Sequence, residues 1–130
     1  MGVVTSSRIK KMSPQFLVAD LERSIEFYMQ KLGFSMEFRY EDFYAGIMKD
    51  GNSIHLKSGN PSAEERKNKR ENDDLDLIFS VENVDGLYSD LVNRSVEITQ
   101  PLCERPYGKE FYVADPDGYI IAFLEEKYPV

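Results

Sequence analysis

Cysteine, histidine and tryptophan are almost missing from this chain: its 130 residues hold one cysteine, Cys103, one histidine, His55, and no tryptophan. A lone thiol forms no internal disulfide, which fits a reducing cytoplasm. No apolar run approaches the roughly 20 residues that span a bilayer, and the opening MGVVTSSRIKKMS lacks the apolar stretch of a secretory signal. Met1-Gly2 with Ser6 matches a myristoylation pattern, although so short a pattern recurs by chance. There is no Gly-x-Ser-x-Gly, no glycine loop for phosphate, and no motif around Cys103. Basic residues are also the minority, 16 against 23 acidic, for a formal charge of −7. That balance disfavours nucleic acid as a partner; it suits a cationic ligand, or solubility alone.

What is present is a repeat. Phe16-Leu17-Val18-Ala19-Asp20-Leu21 is echoed by Phe79-Ser80-Val81-Glu82-Asn83-Val84. Each reads as a strand end running into a helix start, with Asp20 and Asn83 as N-caps whose side-chain oxygens accept from free backbone N–H groups. Leu21, Ile25, Tyr28 and Leu32 then share one helical face, and Gly33 suits the left-handed position after the helix. In the second copy Val84, Leu87, Tyr88 and Leu91 recur at helical spacing.

Strands follow each helix. Phe34, Met36, Phe38 and Tyr40 alternate with polar residues, Glu41-Asp42 marks a turn, and Phe43 to Met48 forms the next strand. Asp50-Gly51 predicts a two-residue hairpin, because a type I′ turn needs positive φ at both central positions, and Asn52 to Lys57 returns as a fourth strand. The second copy gives a strand over 75–81, a helix over 83–94, a ragged strand near 96–100 and a closing hairpin. In that hairpin Asp115-Pro116-Asp117-Gly118 is the turn and Tyr119 to Leu124 is an apolar run suited to burial on both faces. The expected architecture is one α+β domain over 1–130, with module one at about 9–58, a solvated linker or mobile loop at 59–74, and module two at about 75–128. The basic clump Arg66-Lys67-x-Lys69-Arg70 has acids on both sides and reads as part of that solvated segment.

The closing hairpin, ending in Glu125 and Glu126, together with the tandem βαβββ pattern, resembles the glyoxalase / bleomycin-resistance / extradiol-dioxygenase (vicinal oxygen chelate) superfamily. The resemblance implies two curved mixed sheets with concave binding faces. It also implies a divalent ion held on four strands in the enzymes. The corresponding positions fall on Ser13, His55, Asp76 and Ala122. Ser13 is a poor ligand and Ala122 is none, whereas a catalytic ion generally takes about three protein ligands. The implied state is therefore no cofactor and no metal, with at most a weak remnant at His55, Asp76 and Gln15. Glu125, three residues from Ala122, points to the opposite face of a regular strand.

Leu32-Gly33-Phe34-Ser35, then Phe38 and Glu41-Asp42-Phe43, and also Pro106-Tyr107-Gly108-Lys109-Glu110-Phe111, resemble the bleomycin-resistance branch, which carries tryptophan at the Tyr107 position. Members of that branch are metal-free dimers that sequester a cationic glycopeptide in acidic, aromatic-lined grooves between subunits. The resemblance implies a homodimer with Phe38, Phe43 and Tyr107 as stacking surfaces, Tyr112 as a further candidate, and Ile78 as an apolar wall where the branch has an aromatic residue. Phe16, Phe34, Phe79 and Phe123 are expected in the core. His55 is open to several readings: a ligand for metal or drug, a base, or a polar residue bonded to Asp76 or Ser53. A His55–Asp76 pair would satisfy both, since Asp76 in an apolar strand must be paired or wet. The implied function is metal-independent sequestration of a small, antibiotic-like compound. The alternative is a metal-dependent lyase, isomerase or dioxygenase acting on a small metabolite.

Overall fold

Two polar side chains start the repeat's helices. The Asp20 carboxylate accepts from Arg23 N, and the Asn83 side-chain oxygen accepts from Gly86 N, each satisfying a free N–H of a first turn. The chain is described here by a computed structural model covering residues 6–127. The start of the myristoylation pattern and position 128 of module two lie outside the described residues. The elements are β1 (Gln15–Val18), α1 (Leu21–Glu26), continued by a π-helical turn (Phe27–Lys31), β2 (Ser35–Tyr40), β3 (Tyr44–Lys49), β4 (Asn52–Ser58), α2 (Ala63–Glu71), β5 (Leu77–Ser80), α3 (Val84–Asn93), β6 (Glu97–Arg105), β7 (Gly108–Ala114) and β8 (Ile120–Glu126).

The strands form two four-stranded sheets, ordered β1-β4-β3-β2 and β5-β8-β7-β6. β1 pairs with β4, and β5 with β8, in parallel; the remaining pairs are antiparallel. Each module is thus βαβββ, as expected, and neither sheet closes. Asp50 and Gly51 both take positive φ in the β3–β4 hairpin, as its type I′ geometry demands.

Two expectations need correction. The segment 59–74, expected as a solvated linker or mobile loop, is solvated but carries a helix, α2, capped by the Ser62 hydroxyl accepting from Glu65 N at 3.2 Å. No residue of α2 is buried, so it lacks the apolar stripe by which periodicity reveals a helix. Ion pairs hold it, from Arg66 and Lys69 to Asp76 and from Arg70 to Glu97. β6 runs to Arg105, well beyond 100, with register shifts between Ile98 and Gln100 and between Gln100 and Cys103. Pro101 lies in the second of these; it has no N–H to give a ladder, so the strand bulges where its polar–apolar alternation breaks.

α1 packs on β3 and β4, and α3 on β6, β7 and β8. The helix-facing sides of both sheets merge into one core containing Val18, Ile54 and Leu56 from module one and Val84, Phe111 and Ile121 from module two. Burying a large apolar side chain is worth about 1.5–3 kcal/mol, so neither module is expected to hold its core without the other. Phe16, Phe34 and Phe123 are buried and Phe79 packs against them, as expected for core residues.

Polar bonds also tie the modules. The β7–β8 turn reaches across to α1: Asp117 accepts from Ala19 N at 3.0 Å and from the Ser24 hydroxyl at 3.2 Å, while Asp115 accepts from the Tyr28 hydroxyl at 2.7 Å. The π-helical turn, closed by Leu32 N to Phe27 O, belongs to the stretch that places Tyr28 fully inside. Asp115 Oδ1 also accepts from Asp117 N and Tyr119 N. Burial pushes the Asp115 carboxyl from 3.8 up to about 6, against the hydrogen bonds that favour its charge.

That shift has a sign. The folded state binds this proton more tightly than the unfolded chain, so the group's stabilising contribution is complete below about pH 4 and is lost as pH rises through 6. Asp115→Asn keeps an acceptor for both backbone N–H groups and offers its amide to Tyr28. Relative to that variant, wild type is expected to lose up to about 3 kcal/mol of urea-unfolding free energy between pH 4 and 7. Identical pH slopes for the two proteins would disprove this account.

Candidate functional site

The Asp50-Gly51 hairpin fixes the register of β3 against β4 and sets Gly46 opposite His55. Across the sheet this gives one row on the face away from the helices: Gln15, His55, Gly46 and Phe38, from β1 to β2. Gly46 leaves room for the Phe38 ring; a Cβ there would meet it at 2.3 Å. The ring lies parallel to Tyr44 at 5.9 Å, tilts against Tyr40 at 5.6 Å and meets the His55 edge at 5.1 Å. Tyr40 stacks at 6.4 Å on Phe43, and both are more than half exposed. The Tyr44 hydroxyl joins His55 Nδ1 at 2.9 Å and receives the Gln15 amide at 3.0 Å. Module one thus presents an exposed aromatic platform with a tyrosine–histidine–glutamine cluster at its side.

The matching row of module two is Ile78, Ala122, Tyr112 and Gln100. Ile78 stands 54% exposed and Ala122 is buried. Beside this row Glu110 is buried to 4%, and its Oε2 accepts from Tyr112 at 2.8 Å, Tyr107 at 3.0 Å and Arg105 at 3.0 Å. The bond to Glu110 raises the Arg105 guanidinium. Burial first, and then Glu110, push Tyr112 up to about 12 and Tyr107 in the same direction, so both phenols stay protonated and donate. Tyr107, in the turn between β6 and β7, is half exposed.

The site residues therefore divide. Phe38, Phe43, His55 and Gln15 share the open face of module one, whereas Ile78, Tyr107 and Tyr112 belong to module two. The His55–Asp76 pair does not form. Asp76 lies just before β5 and is held by Arg66 at 2.7 Å, Lys69 at 3.1 Å and Ile120 N at 2.9 Å. Burial pulls the Arg66 guanidinium down and Asp76 more than offsets it; the same guanidinium sits 4.2 Å over the Tyr119 ring. Sequence reasoning missed Tyr44, Gly46, Arg66 and Glu110. Hairpin arithmetic from Asp50-Gly51 would have placed Gly46 opposite His55, and the two-residue period puts Glu110 on the Tyr112 face.

These donors do not fit the superfamily's metal. Asp76 already holds two cationic side chains, which would repel a third positive charge. Ala122 offers no donor, which leaves His55, through Nε2, without a second ligand on its neighbouring strands. Among the described residues no group of three His, Cys, Asp or Glu side chains is placed to hold an ion, and no helix is long and apolar enough to cross a membrane.

The same fold recurs in known structures. The chain is similar to UcmS2 (21% identity, 92% of this chain and 100% of that one, TM-score 0.76). It is similar to TnmS3, an antibiotic binding protein from Streptomyces sp. CB03234 (19% identity, 96% and 100%, TM-score 0.70). It is also similar to the bleomycin-binding protein from bleomycin-producing Streptomyces verticillus, solved with copper(II)-bleomycin (21% identity, 93% and 99%, TM-score 0.69). At these identities the likeness is one of fold. No curated protein sequence matches the chain. The pattern of one family, however, matches residues 12–123, and with most of its length so accounted for, the chain belongs to the glyoxalase/bleomycin resistance protein/dioxygenase superfamily.

Proposed function

We propose that this chain is a metal-independent binding protein that sequesters a small planar or cationic aromatic compound. The observation that carries the reading is the Phe38 platform: a half-buried ring seated on Gly46, with half-buried Tyr44 and the exposed Tyr40 and Phe43 around it. Aromatic faces of this kind attract flat heterocycles and cations, and the net charge of −7 favours capture of a cation. His55 and Gln15, tied through the Tyr44 hydroxyl, supply polar contacts that fix orientation. Tyr107, Tyr112 and Ile78 supply the opposing wall. That two of the similar structures are named for binding antibiotics supports the class of ligand.

The two walls lie on different modules, and β1 and β5 are both sheet edges with exposed apolar side chains at Leu17 and Ile78. Unpaired edges and exposed apolar groups favour association. A homodimer in which module one of one copy faces module two of its partner would complete each groove. Sedimentation at micromolar concentration is expected to give a dimer; a monomer that still binds ligand tightly would remove this part of the reading.

A thermal-shift screen of glycopeptide and aromatic antibiotics is the direct test of function. A ligand at a hundred times its dissociation constant adds about 2.7 kcal/mol of stability. Phe38→Ala and Tyr107→Ala are each expected to lower affinity by about 0.5–1.5 kcal/mol per lost stacking contact while leaving the fold intact. Gly46→Ala, which displaces the Phe38 ring without removing it, is expected to act in the same direction. If aromatic cations produce no shift and a small keto acid or thiol adduct is turned over instead, the binding reading is wrong.

Protein expressed in metal-rich medium is expected to carry no stoichiometric Ni, Zn, Mn or Fe by elemental analysis. One equivalent that disappears on His55→Ala would favour the enzymatic alternative.

A further inference from the structure

The two modules meet twice, by related contacts, and the contacts differ. Sheet register makes Phe79 the counterpart of Phe16, Ser80 that of Leu17, and Phe123 that of Leu56. The hairpins extend the correspondence to Asn52 with Tyr119 and Lys49 with Asp115, since Lys49 pairs with Asn52 as Asp115 N bonds Tyr119 O. On the first contact an aromatic ring stands in the seam, beside an open, more polar pocket edged by Arg66 and Asp76. Tyr119 stacks on Phe16 with centroids 4.2 Å apart and planes within 4°, and its hydroxyl donates to Leu17 O at 2.7 Å. On the second contact Asn52 stands where Tyr119 would be, and the ring's volume is missing. A cavity of about 90 Å³ opens there, lined by Phe34, Phe79, Phe123, Leu87 and Leu91, with Lys49 and Asn52 at its rim.

The cavity is larger than the roughly 30 Å³ share of one water, and its walls give water few partners, so it favours an apolar occupant. An enclosed apolar cavity of about 150 Å³ admits a benzene ring. This one is smaller but open at the rim, so a ring enters it with one edge outside.

We propose that this inter-module cavity is a second small-molecule site, and that it takes a single phenol-type ring. The ring stacks on Phe79 as Tyr119 stacks on Phe16, and its hydroxyl donates to Ser80 O as Tyr119 donates to Leu17 O. Lys49 at the rim adds cation–π attraction to a ring partly exposed beneath it. The site is separate from the open faces invoked for sequestration and stands whether or not that reading holds.

The probe is p-cresol, the side chain of tyrosine as a free molecule, on the full chain. It is expected to raise the melting temperature of wild type by a few °C at saturation and to shift the amide NMR signals of Asn52, Ser80 and Leu91. Asn52→Tyr restores the missing ring: it is expected to melt above wild type and to show no response to p-cresol. If that variant does not fold, Leu87→Phe, which fills the same space from α3, is expected to abolish the response. Toluene, which lacks the hydroxyl, is expected to bind at least several-fold more weakly. Phe38→Ala, which removes the platform on module one, is expected to leave the p-cresol response intact, so the two sites are judged apart. Absence of any response in wild type at millimolar p-cresol overturns the proposal. So does a full response that survives in Asn52→Tyr or Leu87→Phe, or that is lost in Phe38→Ala.

Discussion

The structure depends on one buried carboxylate. Asp115 holds its own turn through two backbone N–H groups and holds the other module through the Tyr28 hydroxyl. Burying a charge is costly unless it is hydrogen-bonded, and here three donors meet it. Its neighbour Asp117 accepts from Ala19 N and Ser24 just before and within α1. The shared core would hold two sheets together in many relative orientations, because apolar contact is not directional. The aspartate turn is directional, and it ties the β7–β8 hairpin to the start of α1.

That orientation decides where chemistry is available. With α1 and α3 each packed on one side of its sheet, each sheet keeps the other face for a partner. On module one the free face is aromatic and built around a glycine. On module two it is a buried glutamate ringed by two phenols and a guanidinium, next to a small alanine and an exposed isoleucine. Neither face encloses a ligand by itself, and the two differ in kind. One offers π surface; the other offers a fixed polar hub whose donors are already spent on Glu110, with Tyr107 half exposed.

Much of the fold was legible in the sequence because duplication wrote it twice. The cap–helix–strand order, the Asp50-Gly51 and Asp115–Gly118 turns and the core phenylalanines follow from local chemistry, and local chemistry repeats. α2 was hidden because periodicity reports burial, and α2 buries nothing; Ser62-x-x-Glu65, a capping-box pattern, was the available sign. β6 was cut short because Pro101 breaks the alternation that marks a strand. The site was less legible than the fold. Phe38, Phe43 and His55 do come together, but the residue that joins the polar part, Tyr44, read simply as a strand residue. The pairing of His55 with Asp76 was chemically reasonable and spatially wrong. Asp76 is satisfied by Arg66 and Lys69 from α2, a segment whose position no local pattern in the sequence fixed.

Arg66 also shows how the two modules come to differ. The Asp76 side chain is nearly buried, and an unpaired carboxylate there would be costly. The guanidinium meets it, binding Asp76 with one nitrogen and lying over the Tyr119 ring. Tyr119 in turn fills the inter-module space against Phe16. The pairing of Asp76 with Arg66 is thus linked to the ring that packs one inter-module contact; the other contact has neither the tyrosine nor the arginine, and its cavity is lined mainly by apolar side chains. Divergence of the two modules has kept the backbone symmetric and made the two seams between them chemically different.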